Sequence, residues 1–148
     1  MGSYQLLFTM PLGISANLIL GNLRLIYPDG QIIDYLATSG LPDWQRPEDQ
    51  WSLAKGPLPA GEYKFPTEPY WLDTRGVEGL FFHLTSDPVI KSDRTRTRSE
   101  LGVHWDANVP GTSGCIGLIN KAGWQGFCRR MAQISALGVK IFPLKVEY

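Results

Sequence analysis

Histidine and cysteine are scarce in this 148-residue chain, with two of each, and that scarcity closes off several chemistries. Two cysteines are too few for a disulfide framework and indicate no redox compartment, so both are read as free thiols. With so few nitrogen and sulfur ligands, and one cysteine on an apolar helix stripe, a four-ligand zinc site is not expected. A surplus of one charge is missing too. Lysine plus arginine equals aspartate plus glutamate at 14 each, which leaves no excess cation to bind nucleic acid or an anionic membrane. No run approaches the roughly 18 apolar residues of a membrane span, since Leu18-Ile19-Leu20 is closed off by Gly21-Asn22. A glycine-rich nucleotide loop is absent, and no cofactor is expected. The opening residues show no basic end, apolar middle and small-residue cleavage site, so no export signal is readable, and Met1-Gly2-Ser3 could be a cloning remnant.

What is present is turn chemistry and short apolar alternation. Sixteen glycines and eleven prolines among 43% hydrophobic residues predict many short strands in one domain spanning 1–148. Leu25 to Tyr27 and Ile32 to Leu36 flank Pro28-Asp29-Gly30 and read as a hairpin. From Leu41 to Pro59 the pattern breaks into a long loop whose Trp44 and Trp51 either border a cleft or pack the loop onto the body. GEYKF and GLFFHL read as further strands. His83 alternates with Phe82 and Leu84 and is read as a partly buried strand residue, not a second base. The polar run after it would place Arg94, Arg96 and Arg98 on one side if extended, an arrangement suited to gripping a carboxylate; the alternative is a solvated loop. Trp124, Phe127, Cys128, Met131 and Ile134 form one stripe of an amphipathic helix capped by Asn120 and stopped by Gly138. Cys128 on that stripe behaves as a small hydrophobe. The fold class is mainly β with one or two helices.

The stretch GVHWDANVPGTSGCIGL, from Gly102 to Leu118, holds one histidine and one cysteine. As strands, Leu101, Val103 and Trp105 face the core together with Ile116 and Leu118, whereas Gly102, His104, Asp106, Cys115 and Gly117 face the other way. Pro110-Gly111 can turn the chain so that imidazole approaches sulfur. A thiol near pKa ~8.5 is only partly ionised at neutral pH, and a neighbouring imidazole can take its proton and later return it to a leaving amine. Backbone N–H groups around Gly114 and Cys115 are candidate oxyanion donors, and Gly102 and Gly117 are expected to leave open space beside the reactive groups. Chance also places a lone cysteine and a lone histidine this far apart, so spacing alone leaves the pairing open.

His104 followed by PGTSGCIGL resembles the signature of the L,D-transpeptidase catalytic domain, in which a histidine precedes a Ser/Thr-(His)-Gly-Cys segment. LRLIYPDGQIIDYLATSG is similar to that family's opening hairpin, and GPLPAGEYKF to its Pro-x-Gly strand. The resemblance covers nearly all the chain and is specific only around Cys115. It implies an L,D-transpeptidase-like β-sandwich or barrel acting on peptidoglycan stem peptides in the periplasm or cell wall. Cys115 would be the nucleophile and His104 the base, with Ser113 and Gly114 beside them. In such enzymes the cysteine attacks the carbonyl of the third stem residue, expels D-alanine and forms a thioester. An amine acceptor gives a cross-link; water gives carboxypeptidase activity. A non-catalytic peptidoglycan-binding module is the alternative of a different class. The family's histidine is usually oriented by a backbone carbonyl, and Asp106 is a second candidate for that task. Two departures bear on substrate binding. Ser113 stands where many members carry a second histidine, and Gly117 where many carry arginine or asparagine. RSELGVHWD is closer to a compact branch of secreted effectors and phage-borne wall enzymes, which moves carboxylate recognition to Arg98 and Ser99.

Overall fold

Pro28-Asp29-Gly30 reverses the chain. Gly30 adopts a φ of 90° that an L side chain rarely takes, and Tyr27 and Gln31 close the turn through backbone bonds of 2.9 Å. The two strands it joins, β2 (Gly21–Ile26) and β3 (Ile32–Ser39), pair antiparallel from Ile26 and Ile32 outward. In this computed structural model, residues 2–85, 89–91, 94, 96–106 and 110–148 are described.

The remaining strands are β1 (Gln5–Thr9), β4 (Gly61–Pro66), β5 (Tyr70–Leu72), β6 (Gly79–His83), β7 (Val89–Ile90), β8 (Thr97–Arg98), β9 (Gly102–Trp105), β10 (Ile116–Leu118) and β11 (Ile141–Glu147), with one helix, α1 (Lys121–Ala136). Nine strands form one mixed sheet in the order β4-β11-β1-β2-β3-β10-β9-β6-β5, while β7 and β8 form a separate ribbon. The pairs β1–β11 and β10–β9 are parallel and the others antiparallel. The amide of Thr85, just past β6, donates to Lys64 of β4 at 3.1 Å. Segments from near the two ends of the strand order therefore meet, and the sheet curls into a half-barrel. The chain is a mainly β single domain with one helix. No helix among the described residues is long and apolar enough to cross a membrane.

Alternation decides which face of each strand enters the core. In β11, Phe142, Leu144 and Val146 are buried and the residues between them are exposed. Pro143 precedes the first β11 residue registered with β1, Leu144, a place where a missing N–H is tolerated. Helix α1 closes the inner face. Its Phe127 packs edge-on against Tyr35 at 5.2 Å and Phe82 at 5.5 Å, and Phe65 stacks on Phe82 at 5.2 Å. Asn120 caps the helix by accepting from the Gly123 amide at 3.0 Å. Gly138 follows it with a φ of 95°.

The long loop from Leu41 to Pro59 contains a single 3-10 turn at Pro47–Trp51. It is pinned by Gln45, only 1% exposed. The Gln45 amide donates to the carbonyls of Ser39 and Ile19 and accepts from the Ile19 amide. Trp44 is half-buried with the Lys55 ammonium 4.5 Å from its ring centroid.

Candidate active site

The parallel pair β9–β10 carries the site. Its register sets Ile116 beside Val103 and Gly117 beside His104. Val103, Ile116 and Leu118 join the core, so the alternate residues His104 and Cys115 point to the other side, as the alternation in GVHW and CIGL predicts. Continuing the register by one residue puts Cys115 level with Gly102. His104 then sits diagonally from Cys115 on the same face, at a backbone separation of about 7–8 Å that an imidazole and a thiol can bridge. Both side chains line one groove of about 540 Å³, a size suited to a short peptide.

His104 is 4% exposed. Its Nδ1 lies 2.9 Å from the Trp105 carbonyl. A carbonyl only accepts, so Nδ1 carries the hydrogen and Nε2 keeps its lone pair. Burial lowers the imidazole pKa from its ordinary value, against a smaller opposing effect of the Trp105 bond, which favours the neutral ring, the form able to act as a base. The backbone carbonyl, not Asp106, orients it. Asp106 instead accepts the Gly111 amide at 3.0 Å through Oδ2, its Oδ1 is buried without a hydrogen-bond partner among the described residues, and burial raises its pKa.

Cys115 is 9% exposed, and its Sγ donates to the Glu100 carbonyl at 3.4 Å. The Cys115 carbonyl is held by the hydroxyls of Ser39, at 2.8 Å, and Thr112. Thr112 Oγ1 also accepts the amides of Gly40 at 3.0 Å and Gly114 at 3.3 Å. The Gly114 amide is therefore engaged within the loop in this state, and its use as an oxyanion donor would require exchanging that bond. Ser113 is exposed and lines the groove.

Several expectations from the sequence are corrected. Arg98 does not face the groove to grip a carboxylate. It is 2% exposed, and its guanidinium donates at 2.5 to 3.2 Å to the carbonyls of Gln50, Pro57, Gly56 and Ser113. A Cβ on Gly114 would come within 2.1 Å of Arg98 Nη2, and Gly114 has a φ of 126°, so glycine is required there on both counts. Arg98 thus ties the long loop, through Gln50, Gly56 and Pro57, to the turn that leads from Ser113 into Cys115. The row of arginines does not form either, because Arg94 lies in the turn of the β7–β8 ribbon with a φ of 62° while Arg96 is exposed. Ser99 is exposed and outside the groove lining. Nor do the two strand glycines leave open space. A Cβ at Gly102 would meet the Phe81 ring at 2.4 Å, and one at Gly117 would meet the Asp106 and Thr112 side chains at 2.9 Å. Trp44 and Trp51 do not border the groove; Leu41 and Ala54 of their loop do.

The far wall of the groove is the β5–β6 hairpin; the sequence reading placed a strand at GLFFHL but did not pair it with Tyr70–Leu72. Because β6 pairs with β9 so that His83 lies beside Gly102, His83 shares the face of His104. Phe82 and Leu84, its neighbours in sequence, are buried in the core. The same alternation that singles out His104 therefore applies to His83, and the sign was in LFFHLT. Its Nδ1 lies 2.9 Å from the Tyr70 hydroxyl. The Phe81 ring lies between the two imidazoles, 5.5 Å from His83 and 6.2 Å from His104. Arg75 and Glu100 also line the groove.

Comparison of the chain with family models, curated proteins and solved structures gives no match. The functional reading therefore stands on the residues of the groove.

Proposed function

We propose that this chain is a cysteine-dependent L,D-transpeptidase of peptidoglycan, and that its curled sheet is a compact form of the L,D-transpeptidase-like fold. The observation that carries the proposal is the His104 imidazole, its Nδ1 fixed on the Trp105 carbonyl and its ring in the same groove as the Cys115 thiol.

The chemistry follows from those two groups. His104 Nε2 takes the thiol proton, and the thiolate forms a C–S bond to the carbonyl carbon of the third stem residue. The resulting oxyanion collapses and the C–N bond to D-alanine breaks. The imidazolium then delivers its proton to the departing nitrogen, leaving a neutral His104 and a thioester. An acceptor amine next attacks the thioester and gives a proton to His104, the C–S bond breaks, and the imidazolium returns that proton to the departing sulfur, restoring the Cys115 thiol and a neutral His104. Water in place of the amine gives a tripeptide. No external oxidant, reductant or metal enters either balance. The site of action would be where stem peptides are found, the periplasm or cell wall.

Incubation with tetrapeptide muropeptides followed by mass spectrometry tests the proposal. Cross-linked dimers support transfer. Tripeptides alone support hydrolysis by the same site. Unchanged substrate across acceptors and pH, together with measurable binding, overturns the enzyme reading in favour of a binding module.

A further inference from the structure

We propose that Arg75, beside the Tyr70–His83 wall, forms the carboxylate-binding subsite of the groove. This deepens the peptidase-type reading given above and rests on it.

The case begins with elimination. A stem peptide is rich in carboxylates, and a groove that selects it needs a cation. Arg98, the candidate nearest Cys115 in sequence, is buried with its donors on four carbonyls. Gly117 carries no side chain. Among the described residues, Arg75 is the one lysine or arginine lining the groove. It is exposed, and it enters no ion pair or side-chain hydrogen bond there. Its planar fork therefore faces the groove uncommitted, in the form suited to bidentate capture of a carboxylate.

Position supports the assignment. Leu72 and Gly79 are the last registered pair of the β5–β6 hairpin, and Thr74 closes its tip by accepting the amides of Val77 and Glu78 at 3.0 Å. Arg75 sits on that tip, so it overhangs the groove beyond the pair of Tyr70 and Phe81. Tyr70 and His83 add a polar wall on the same hairpin, joined by their 2.9 Å contact. The acidic groups nearby lie to either side. Glu78 accepts the Gly76 amide at 3.4 Å, and Glu100 lines the groove where its own carbonyl receives the Cys115 thiol. The groove thus carries an anionic group next to the nucleophile and a cationic one on the hairpin tip, which favours a peptide with its carboxylate toward Arg75.

The test uses Cys115→Ala protein, which cannot turn substrate over, and isothermal titration with three synthetic stem tetrapeptides. One has a free terminal carboxylate and D-glutamate at the second position, one has the terminal carboxylate amidated, and one has isoglutamine at the second position. Loss of one charge-assisted contact should weaken binding of one amidated peptide by about tenfold. The added substitution Arg75→Gln should abolish that difference, and Arg75→Lys should keep most of it. The arm that responds identifies which carboxylate is read. If Arg75→Gln binds the free-acid peptide as tightly as the Arg75 protein, or if amidation weakens both proteins equally, the subsite is wrong. Turnover by the unmodified protein separates the two readings. Turnover with an unchanged KM in Arg75→Gln overturns only the subsite; neither turnover nor binding overturns both.

Discussion

Two thiols with the same intrinsic chemistry sit in opposite settings. Cys128 lies on the apolar stripe of α1, half-buried, and burial pushes its thiol up to about 11. Cys115 is buried more deeply by area, yet its neighbours are polar: the Glu100 carbonyl at its sulfur, His104 on the adjacent strand, and the Arg98 cation within electrostatic reach. Depth of burial would not separate a reactive cysteine from an inert one. The groups that can take its proton or offset its charge would.

The sharpest way to break this contrast is to exchange the residues themselves. Cys115→Ala is expected to abolish turnover of stem peptides, whereas Cys128→Ala retains it; equal activity of the first variant would end the assignment of Cys115 as the nucleophile. His104→Gln should lower kcat/KM by about 10²–10⁴-fold, the span of a lost general base, with little change in the circular dichroism spectrum.

Next in size is Arg98→Met, which keeps length but leaves four carbonyls without their donor. Urea unfolding should show a loss of about 3 kcal/mol or more. The residual folded protein should also alkylate more slowly at Cys115. Unchanged stability would mean that water replaces the guanidinium at those carbonyls.

The pH dependence of His104 has a definite sign. Because burial holds its folded pKa below the ordinary imidazole value, turnover should persist at pH values where a solvent-exposed histidine is already protonated, then fall on the acid side. Stability follows the same group. It is intact above the ordinary imidazole range and declines as pH falls through that range toward the lower folded value, since the unfolded chain takes the proton first. Denaturant titrations of the native chain and of His104→Gln between pH 5 and 8 check this, both values marking the ordinary histidine window.

Iodoacetamide labelling followed by peptide mass mapping compares the thiols directly, and Cys115 should be modified ahead of Cys128 throughout the neutral range. Faster labelling of Cys128 would reverse the assignment. The smallest effect concerns the helix that shelters Cys128. Asn120→Ala removes the cap on the Gly123 amide and should cost about 1 kcal/mol by thermal unfolding without altering the groove.

The legible and illegible parts of the site divide along a physical line. The period of two placed His104 and Cys115 opposite Val103 and Ile116, because strand geometry sends alternate side chains to opposite faces. The helix stripe and its Asn120 cap were readable for the same local reason. His83 obeyed that rule as well, but its phase means little until β6 is known to lie beside β9. Arg98 was misjudged because an exposed arginine and one buried on four carbonyls look alike in a polar run. Its acceptors at Gln50, Gly56 and Pro57 are more than forty residues away in sequence. The two glycines failed similarly, since the Phe81 ring and the Asp106 side chain fill the places their missing side chains vacate.

By itself the sequence determined a β-rich chain with one capped helix, a hairpin at Pro28-Asp29-Gly30, and a histidine on one short strand in phase with a cysteine at the start of another. These are local properties, fixed by backbone preference and by alternation over a few residues. Only the tertiary structure decided that β9 and β10 run parallel side by side, that Arg98 braces the turn before Cys115 from within, and that Arg75, Tyr70 and His83 form the facing wall. Each of those facts is a meeting of segments distant along the chain, brought together when the curled sheet buries its apolar faces.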